Sequence, residues 1–306
     1  MTYSIIARDP ESGAFGLACE THFFGVGRLV GWLEPGVGAV ATQAFVNVGL
    51  GPRGLALLRD GVAADDAVRA LISDDDQPGF RQVAAIDANG VVGNFTGDKC
   101  VRSAGALTGD QVSVQGNMLA NDDVVPAILA AYQRAAGEPF ARRLLIALRA
   151  GEDAGGDARG SQSAVLKIVS GRRGPLWEET SLDLRVDDHP DPVTEITRLA
   201  ELSGAFDRIG SVMFAPRIMI GDYVDVTDAE LAAAVAALDA AQDVLGDNLE
   251  AAFWNGVLLA RAGRDGEARE RLAAVFEAQS HWRSYLDAVA DAGFLDRAKV
   301  PALVKG

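Results

Sequence analysis

Thr2 stands directly behind the initiator methionine. Methionine is commonly removed when the second residue is small, and its removal would leave the Thr2 hydroxyl beside a free α-amine. Such an amine titrates at about 8 and acts as a general base for its own side chain. The plain alternative is a tolerated second residue. The densest polar cluster is Gly155-Gly156-Asp157-Ala158-Arg159-Gly160-Ser161-Gln162-Ser163. Its glycines let backbone amides approach a ligand or a nucleophile closely. Asp157 could orient an amine or a hydroxyl, and Ser161 could relay a proton. A helix C-cap followed by a tight loop has the same composition. A phosphate loop is excluded, because the Lys-Ser/Thr pair is missing and no strand precedes it.

Ser113-Val114-Gln115-Gly116-Asn117-Met118-Leu119 places the Gln115 and Asn117 carboxamides at the end of a strand. There they could form part of an oxyanion hole, although an Asn at a turn before a helix has the same pattern. In Ala41-Thr42-Gln43-Ala44-Phe45-Val46-Asn47 a polar break in an apolar segment offers the Gln43 and Ala44 backbone to an active-site cleft. Phe95-Thr96-Gly97-Asp98-Lys99-Cys100 is a weaker break that a hairpin exit explains. If strand alternation holds, Glu20 and His22 share a face that could form the cleft rim. Thr96 and Arg159 are further rim candidates. One His beside one Glu is too little for a metal centre, so no metal and no cofactor is expected. A Ser-His-Asp reading is weak, because no Gly-x-Ser-x-Gly elbow occurs.

These residues need a scaffold, and the first two-thirds of the chain alternates strand-like and helix-like segments. Residues 2–20 have the pattern of a β-hairpin around Asp9-Pro10-Glu11-Ser12-Gly13. Gly36 to Gln43 is a further strand, followed by a helix opened by Pro52 and a second helix over about 63–73. Strands at Val83–Asp87 and Val91–Phe95 flank Ala88-Asn89-Gly90, a strong hairpin signal. Gln111 to Gln115 is strand-like, 122–136 and 138–150 are amphipathic helices, and Ala164–Val169 and Leu182–Val186 are apolar strands. This order fits an α+β layered domain with antiparallel sheets better than a parallel doubly wound sheet. Pro190–Ser203 has a helical pattern, 204–226 an irregular one, and 227–306 an all-α one with a helical hairpin around Gly263-Arg264-Asp265-Gly266. That hairpin resembles a tetratricopeptide unit, with a plain helical bundle as the alternative. The expected domains are therefore 1–204 and 227–306.

Composition narrows the function classes. A length of 306 residues suits about two domains. With 28 Lys and Arg against 43 Asp and Glu, the net charge is -15, which repels phosphate backbones and anionic membranes. Two cysteines and three histidines argue against a disulfide scaffold or a zinc cluster. No uninterrupted apolar run reaches about 18 residues, and the N-terminus lacks a basic segment followed by a long apolar one. A cytoplasmic protein is expected, with no nucleic-acid or membrane partner.

Beyond these features, the sequence resembles a known family. The residues that carry the likeness are Thr2-Tyr3-Ser4-Ile5-Ile6-Ala7-Arg8-Asp9-Pro10, Gly38-Ala39-Val40-Ala41-Thr42-Gln43-Ala44, Gly51-Pro52-Arg53-Gly54, Phe95-Thr96-Gly97, Gln115-Gly116-Asn117-Met118-Leu119 and Gly155 to Ala164. Together they resemble the bacterial and archaeal family called domain of unknown function 1028, over about residues 1–200. The resemblance implies an N-terminal nucleophile (Ntn) hydrolase fold, a four-layer αββα sandwich with two antiparallel sheets between helical layers. It implies that Thr2 is nucleophile and, through its amine, base. It further implies that Glu20 supports the nucleophile, that Asp157 and Ser161 hydrogen-bond the terminal amine, and that the Gln43-Ala44 backbone and Asn117 lie at the oxyanion site. One departure stands out: proteasome-type members carry a lysine near the nucleophile, and none occurs between residues 1 and 98.

Two functions follow as expectations. The first is hydrolysis of an amide or peptide bond in a small substrate by Thr2 after loss of Met1. The second is a catalytically inactive Ntn-fold protein that binds a small ligand or acts as a scaffold. A homo-oligomer, most simply a dimer, is expected in either case.

Overall fold

A computed structural model describes residues 2–305. Met1, whose removal the Thr2 reading requires, lies outside the described residues. The chain divides into two compact units, one up to Ala200 and one from Glu201.

The first unit opens with a hairpin of β1 (Thr2–Arg8) and β2 (Phe15–Thr21), then β3 (Gly31–Glu34) and β4 (Gly38–Ala44). Helices α1 (Leu50–Arg59) and α2 (Ala64–Ser73) lead to β5 (Arg81–Asp87) and β6 (Val92–Thr96). Strands β7 (Gly105–Gly109) and β8 (Val112–Asn117) precede α3 (Val124–Arg134) and α4 (Phe140–Asp153). The unit closes with β9 (Ser163–Val169), α5 (Leu176–Glu179), β10 (Thr180–Val186) and the first turns of α6 (Pro192–Met213). One sheet has the order β10-β9-β2-β1-β8-β7 and the other β3-β4-β5-β6. The pairings are antiparallel.

Three apolar clusters show how the sheets are covered. Ile5, Val114 and Leu166 from the larger sheet pack against Ile128 of α3 and Leu144 and Leu148 of α4. Val40, Val83 and Ala85 of the smaller sheet pack against Leu55 of α1 and Val68 and Leu71 of α2. Ile6, Leu17, Val165, Ala39, Ala84 and Ile86 join the facing sides of the two sheets. Strands covered on both faces cannot show a polar-out alternation, and β1 is accordingly buried from Thr2 to Ala7. The expected Asn89-Gly90 turn forms with Gly90 at φ 81°. Asp87 holds it by accepting from the Asn89 and Val91 amides at 2.8 and 3.0 Å. Its other oxygen accepts from the Ala64 amide at 3.1 Å, satisfying an open donor at the start of α2.

The second unit is helical: the later turns of α6, then α7 (Asp228–Leu245), α8 (Glu250–Arg261), α9 (Asp265–Ala278), α10 (Trp282–Asp291) and α11 (Val300–Leu303). Thr227 and Glu230 form a reciprocal capping box at the start of α7. Every residue of α8 from Ala251 to Ala260 is buried, so α8 is the centre of the unit. The residues expected to be irregular from 204 onward continue α6 to Met213. Gly204 weakens a helix by only about 1 kcal/mol, and burial of Ala205, Ile209 and Val212 outweighs it. The sequence reading also missed β3 and β7, which are sheet-edge strands of four and five residues. Among the described residues no helix is long and apolar enough to cross a membrane.

Candidate functional site

Thr2 is the first residue of β1 and is only 6% exposed. Its hydroxyl donates to the Thr21 hydroxyl at 3.2 Å. Its carbonyl accepts from Gln43 Nε2 at 3.3 Å and from Asn117 Nδ2 at 3.4 Å. Thr2 and Thr21 lie on the floor of a cavity of about 80 Å3, which Gln43, Ala44 and Val46 also line. The chain leaves β4 at Ala44 with φ 71°. That left-handed geometry is unusual for a residue with a Cβ and is worth a functional explanation. Phe45 follows, 55% exposed, its ring edge-on to Phe80 at 5.5 Å.

Beneath this floor runs a chain of neutral hydrogen bonds between the sheets. Ser113 donates to Gln115 Oε1 at 2.9 Å, Gln115 Nε2 to Ser4 Oγ at 2.6 Å, and Ser4 Oγ to Gln43 Oε1 at 2.6 Å. Gln43 Nε2 and Asn117 Nδ2 then both donate to Gln82 Oε1, at 2.8 and 2.9 Å. Gln82 Nε2 passes the chain on to Thr96 Oγ1 at 3.0 Å and to the Gly116 carbonyl at 2.7 Å. Ser4, Gln82, Ser113, Gln115 and Asn117 are fully buried. Buried polar groups are tolerable when bonded in this way, and neutral groups avoid the desolvation cost of ions. Among the layer's carboxamide oxygens only Asn117 Oδ1 lacks a partner among the described residues.

The opposite face of β1 is acidic. Tyr3 pairs with Glu20 across the hairpin, and its hydroxyl donates to Glu152 Oε2 at 2.6 Å. Glu20 is wholly buried. Burial first, and then the charges of Glu152 and Asp157, push its carboxyl up to about 9, so it is protonated at neutral pH. Neither of its oxygens has a well-placed donor among the described residues. The Gln162 amide and the Ser161 hydroxyl offset part of the burial penalty, but they serve the Thr21 carbonyl and Glu152 Oε1. Burial first, and then Glu20 and Glu152, push the Tyr3 phenol well above its ordinary value.

The sequence candidates therefore separate into groups. Thr2, Gln43, Ala44, Gln115 and Asn117 come together, with Gln115 buried inside the polar layer rather than facing the cavity. Thr96 also belongs to the layer, through Gln82. Glu20, which the resemblance places behind the nucleophile, points to the helix side, and Thr21 is the residue beside the Thr2 hydroxyl. Asp157 and Ser161, assigned by the resemblance to the terminal amine, frame their own loop. Asp157 accepts from the His22 amide at 2.9 Å and from the Arg159 amide at 2.9 Å, with the Arg159 guanidinium at 3.2 Å. His22 Nδ1 is buried and has no partner among the described residues. Three glycines of this loop, Gly155, Gly156 and Gly160, take φ values of 118°, 54° and 98°, which only glycine adopts without strain. Among the described residues no group of three or more His, Cys, Asp or Glu is arranged to hold a metal ion. Sequence reasoning missed Ser4, Thr21, Gln82 and Glu152. A glutamine directly before the apolar run of β5 was the available signal for Gln82.

The polar breaks that build this layer lie within a region shared with other proteins. A family model described as a family of unknown function, DUF1028, matches residues 2–196. The chain belongs to the DUF1028 family. The crystal structure of protein SPO2555 from Silicibacter pomeroyi, also of DUF1028, is similar at 36% identity. The likeness covers 65% of this chain and 84% of that one, with a TM-score of 0.60. Among curated proteins no match is found. The DUF1028 region thus contains the cavity, the polar layer and the acidic cluster.

Proposed function

We propose that this DUF1028 chain is an Ntn hydrolase that cleaves an amide bond of a small substrate once Thr2 is its first residue. The observation that carries the reading is the Thr2 hydroxyl on the floor of a cavity, with the Thr2 carbonyl held by two carboxamides. Helices outside two facing antiparallel sheets support an αββα sandwich of the Ntn type. In the reaction the Thr2 hydroxyl oxygen adds to the amide carbonyl and its proton passes to the Thr2 α-amine. Backbone amides at the left-handed Ala44 turn hold the oxyanion. The C–N bond breaks as the α-ammonium returns the proton to the leaving nitrogen, and an ester on Thr2 remains. Water adds to the ester, its proton again taken by the amine. The C–O bond then breaks with that proton returned to the Thr2 oxygen, and a carboxylic acid leaves. The test is an amide library turned over by protein that begins at Thr2. Thr2→Ala should lower turnover by about 10^4-fold or more while the chain still folds cooperatively, and Thr2→Ser should retain part of it. A Thr2→Ala protein at full rate overturns the reading.

One observation favours a second reading, a small-ligand-binding protein without turnover. The carboxylate and hydroxyl expected at the amine, Asp157 and Ser161, are engaged with His22, Arg159 and Glu152. Under that reading the same library binds without release of amine.

A further inference from the structure

The cavity beside Thr2 has a wall of one chemical kind. Past its polar floor it is lined by Phe23, Val26, Leu29, Val30 and Val46. No charged side chain is among the described residues that line it. Val26 and Val30 are buried in the core between the sheets, so this wall is set by packing. Phe23 is 53% exposed and extends the apolar surface outward.

Size and charge together restrict the occupant. A cavity of about 150 Å3 accepts a benzene ring, whereas a single water needs about 10–15 Å3. At about 80 Å3 the space fits a chain of roughly three or four carbons better than an aromatic ring. A carboxylate or ammonium at the inner end of that chain would lose its hydration against Val26, Leu29 and Val30. The Gln43 carboxamide offers little compensation, since its nitrogen already serves Gln82 and its oxygen Ser4.

Resting on the hydrolase reading above, we infer that the acyl half of the scissile amide is a short, uncharged aliphatic group of the butyryl class, seated against Val26, Leu29, Val30 and Val46. The Thr2 hydroxyl on the cavity floor then meets the carbonyl carbon at the mouth of that chain. The leaving amine lies outside the cavity and is not selected by it.

The experiment compares butyryl, succinyl and benzoyl p-nitroanilides with full-length protein beginning at Thr2. The succinyl compound keeps the chain length and adds a carboxylate, and the benzoyl compound adds a ring. The kcat/KM for the butyryl compound should exceed both others by at least about tenfold. Val46→Leu, in the half-buried part of the wall, should lower kcat/KM for the butyryl compound by more than for an acetyl p-nitroanilide run beside it. A binding measurement on the Thr2→Ala chain separates pocket from chemistry. Butyramide should shift the Val26 and Val30 methyl resonances, and succinamate and benzamide should not. Equal or faster cleavage of the succinyl or benzoyl compound overturns the inference and leaves the hydrolase reading standing. No cleavage of any compound, with butyramide alone shifting the methyls, overturns the hydrolase reading and supports the pocket's preference. No cleavage and no shift overturns both.

Discussion

Thr2 and Ser4 point from β1 toward the smaller sheet, while Tyr3, between them, points toward α4, and different polar environments receive them. On the first side every group is neutral, and the hydrogen bonds run in one direction from Ser113 to the Gly116 carbonyl. On the second side burial, and then the charges of Glu152 and Asp157, raise the Glu20 carboxyl to about 9. The neutral layer holds its geometry at any pH compatible with folding, because nothing in it titrates. The acidic cluster has a geometry that depends on where its protons are. Under the hydrolase reading, the nucleophile is therefore mounted on the pH-indifferent side, and its own amine, titrating at about 8, sets the activity profile.

The first single-site prediction tests the layer at its hub. Gln82→Leu removes the acceptor shared by Gln43 and Asn117 and the donor to Thr96 and Gly116. Several buried groups lose partners at once, and a loss of about 3–5 kcal/mol is expected, read as a lower urea midpoint at neutral pH. A loss below about 1 kcal/mol would mean that the layer does not hold the sheets together.

The acidic side makes the next prediction. The folded Glu20 carboxyl titrates at about 9 against an ordinary value of 4.5. Between those values the folded chain holds a proton that the unfolded chain has released. The contribution of Glu20 to stability should therefore be fully present below pH 4.5 and fall as pH rises toward 9, by up to about 1.4 kcal/mol per unit. Glu20→Gln keeps the shape and removes the titration, so its stability should be flatter across that window. Parallel curves for the two proteins in denaturant titrations from pH 5 to 9 would show that Glu20 is not the group responsible.

Much of this arrangement was legible in the sequence and some was not. The β1–β2 hairpin, the Asn-Gly turn and the helix pairs follow from local patterns. So do the polar breaks at 41–47 and 113–119, which do carry Gln43, Gln115 and Asn117 to one place. What local pattern leaves open is register. With Tyr3 opposite Glu20, Thr2 falls beside Thr21. A slip of one residue would have turned Glu20 to the Thr2 face. The turn over residues 9–14 settles that choice through contacts such as the Asp9 amide donating to the Ala14 carbonyl at 2.8 Å. The convergence of Gln82 on Gln43 and Asn117 joins three strands from two sheets. It is fixed only when the sheets meet face to face. Edge strands β3 and β7 owe their order to neighbours rather than to their own short patterns.

Adjacent residues of β1 allow the comparison to be made with one oxygen atom at a time. Ser4→Ala deletes a hydroxyl that accepts from Gln115 and donates to Gln43, both fully or nearly fully buried. Both partners lose a hydrogen bond away from the surface, so a loss of about 2 kcal/mol is expected in urea denaturation. Tyr3→Phe also deletes one hydroxyl, with a ring that stays packed in the helix-side core. Its partner Glu152 is only half-buried and still accepts from Ser161. Solvent can take the vacated position on that carboxylate, so the loss should be about 1 kcal/mol. The difference between the two variants measures how dry each side of one strand is. Equal losses would mean that water reaches the amide layer too, and the cavity beside Thr2 would then be its entry.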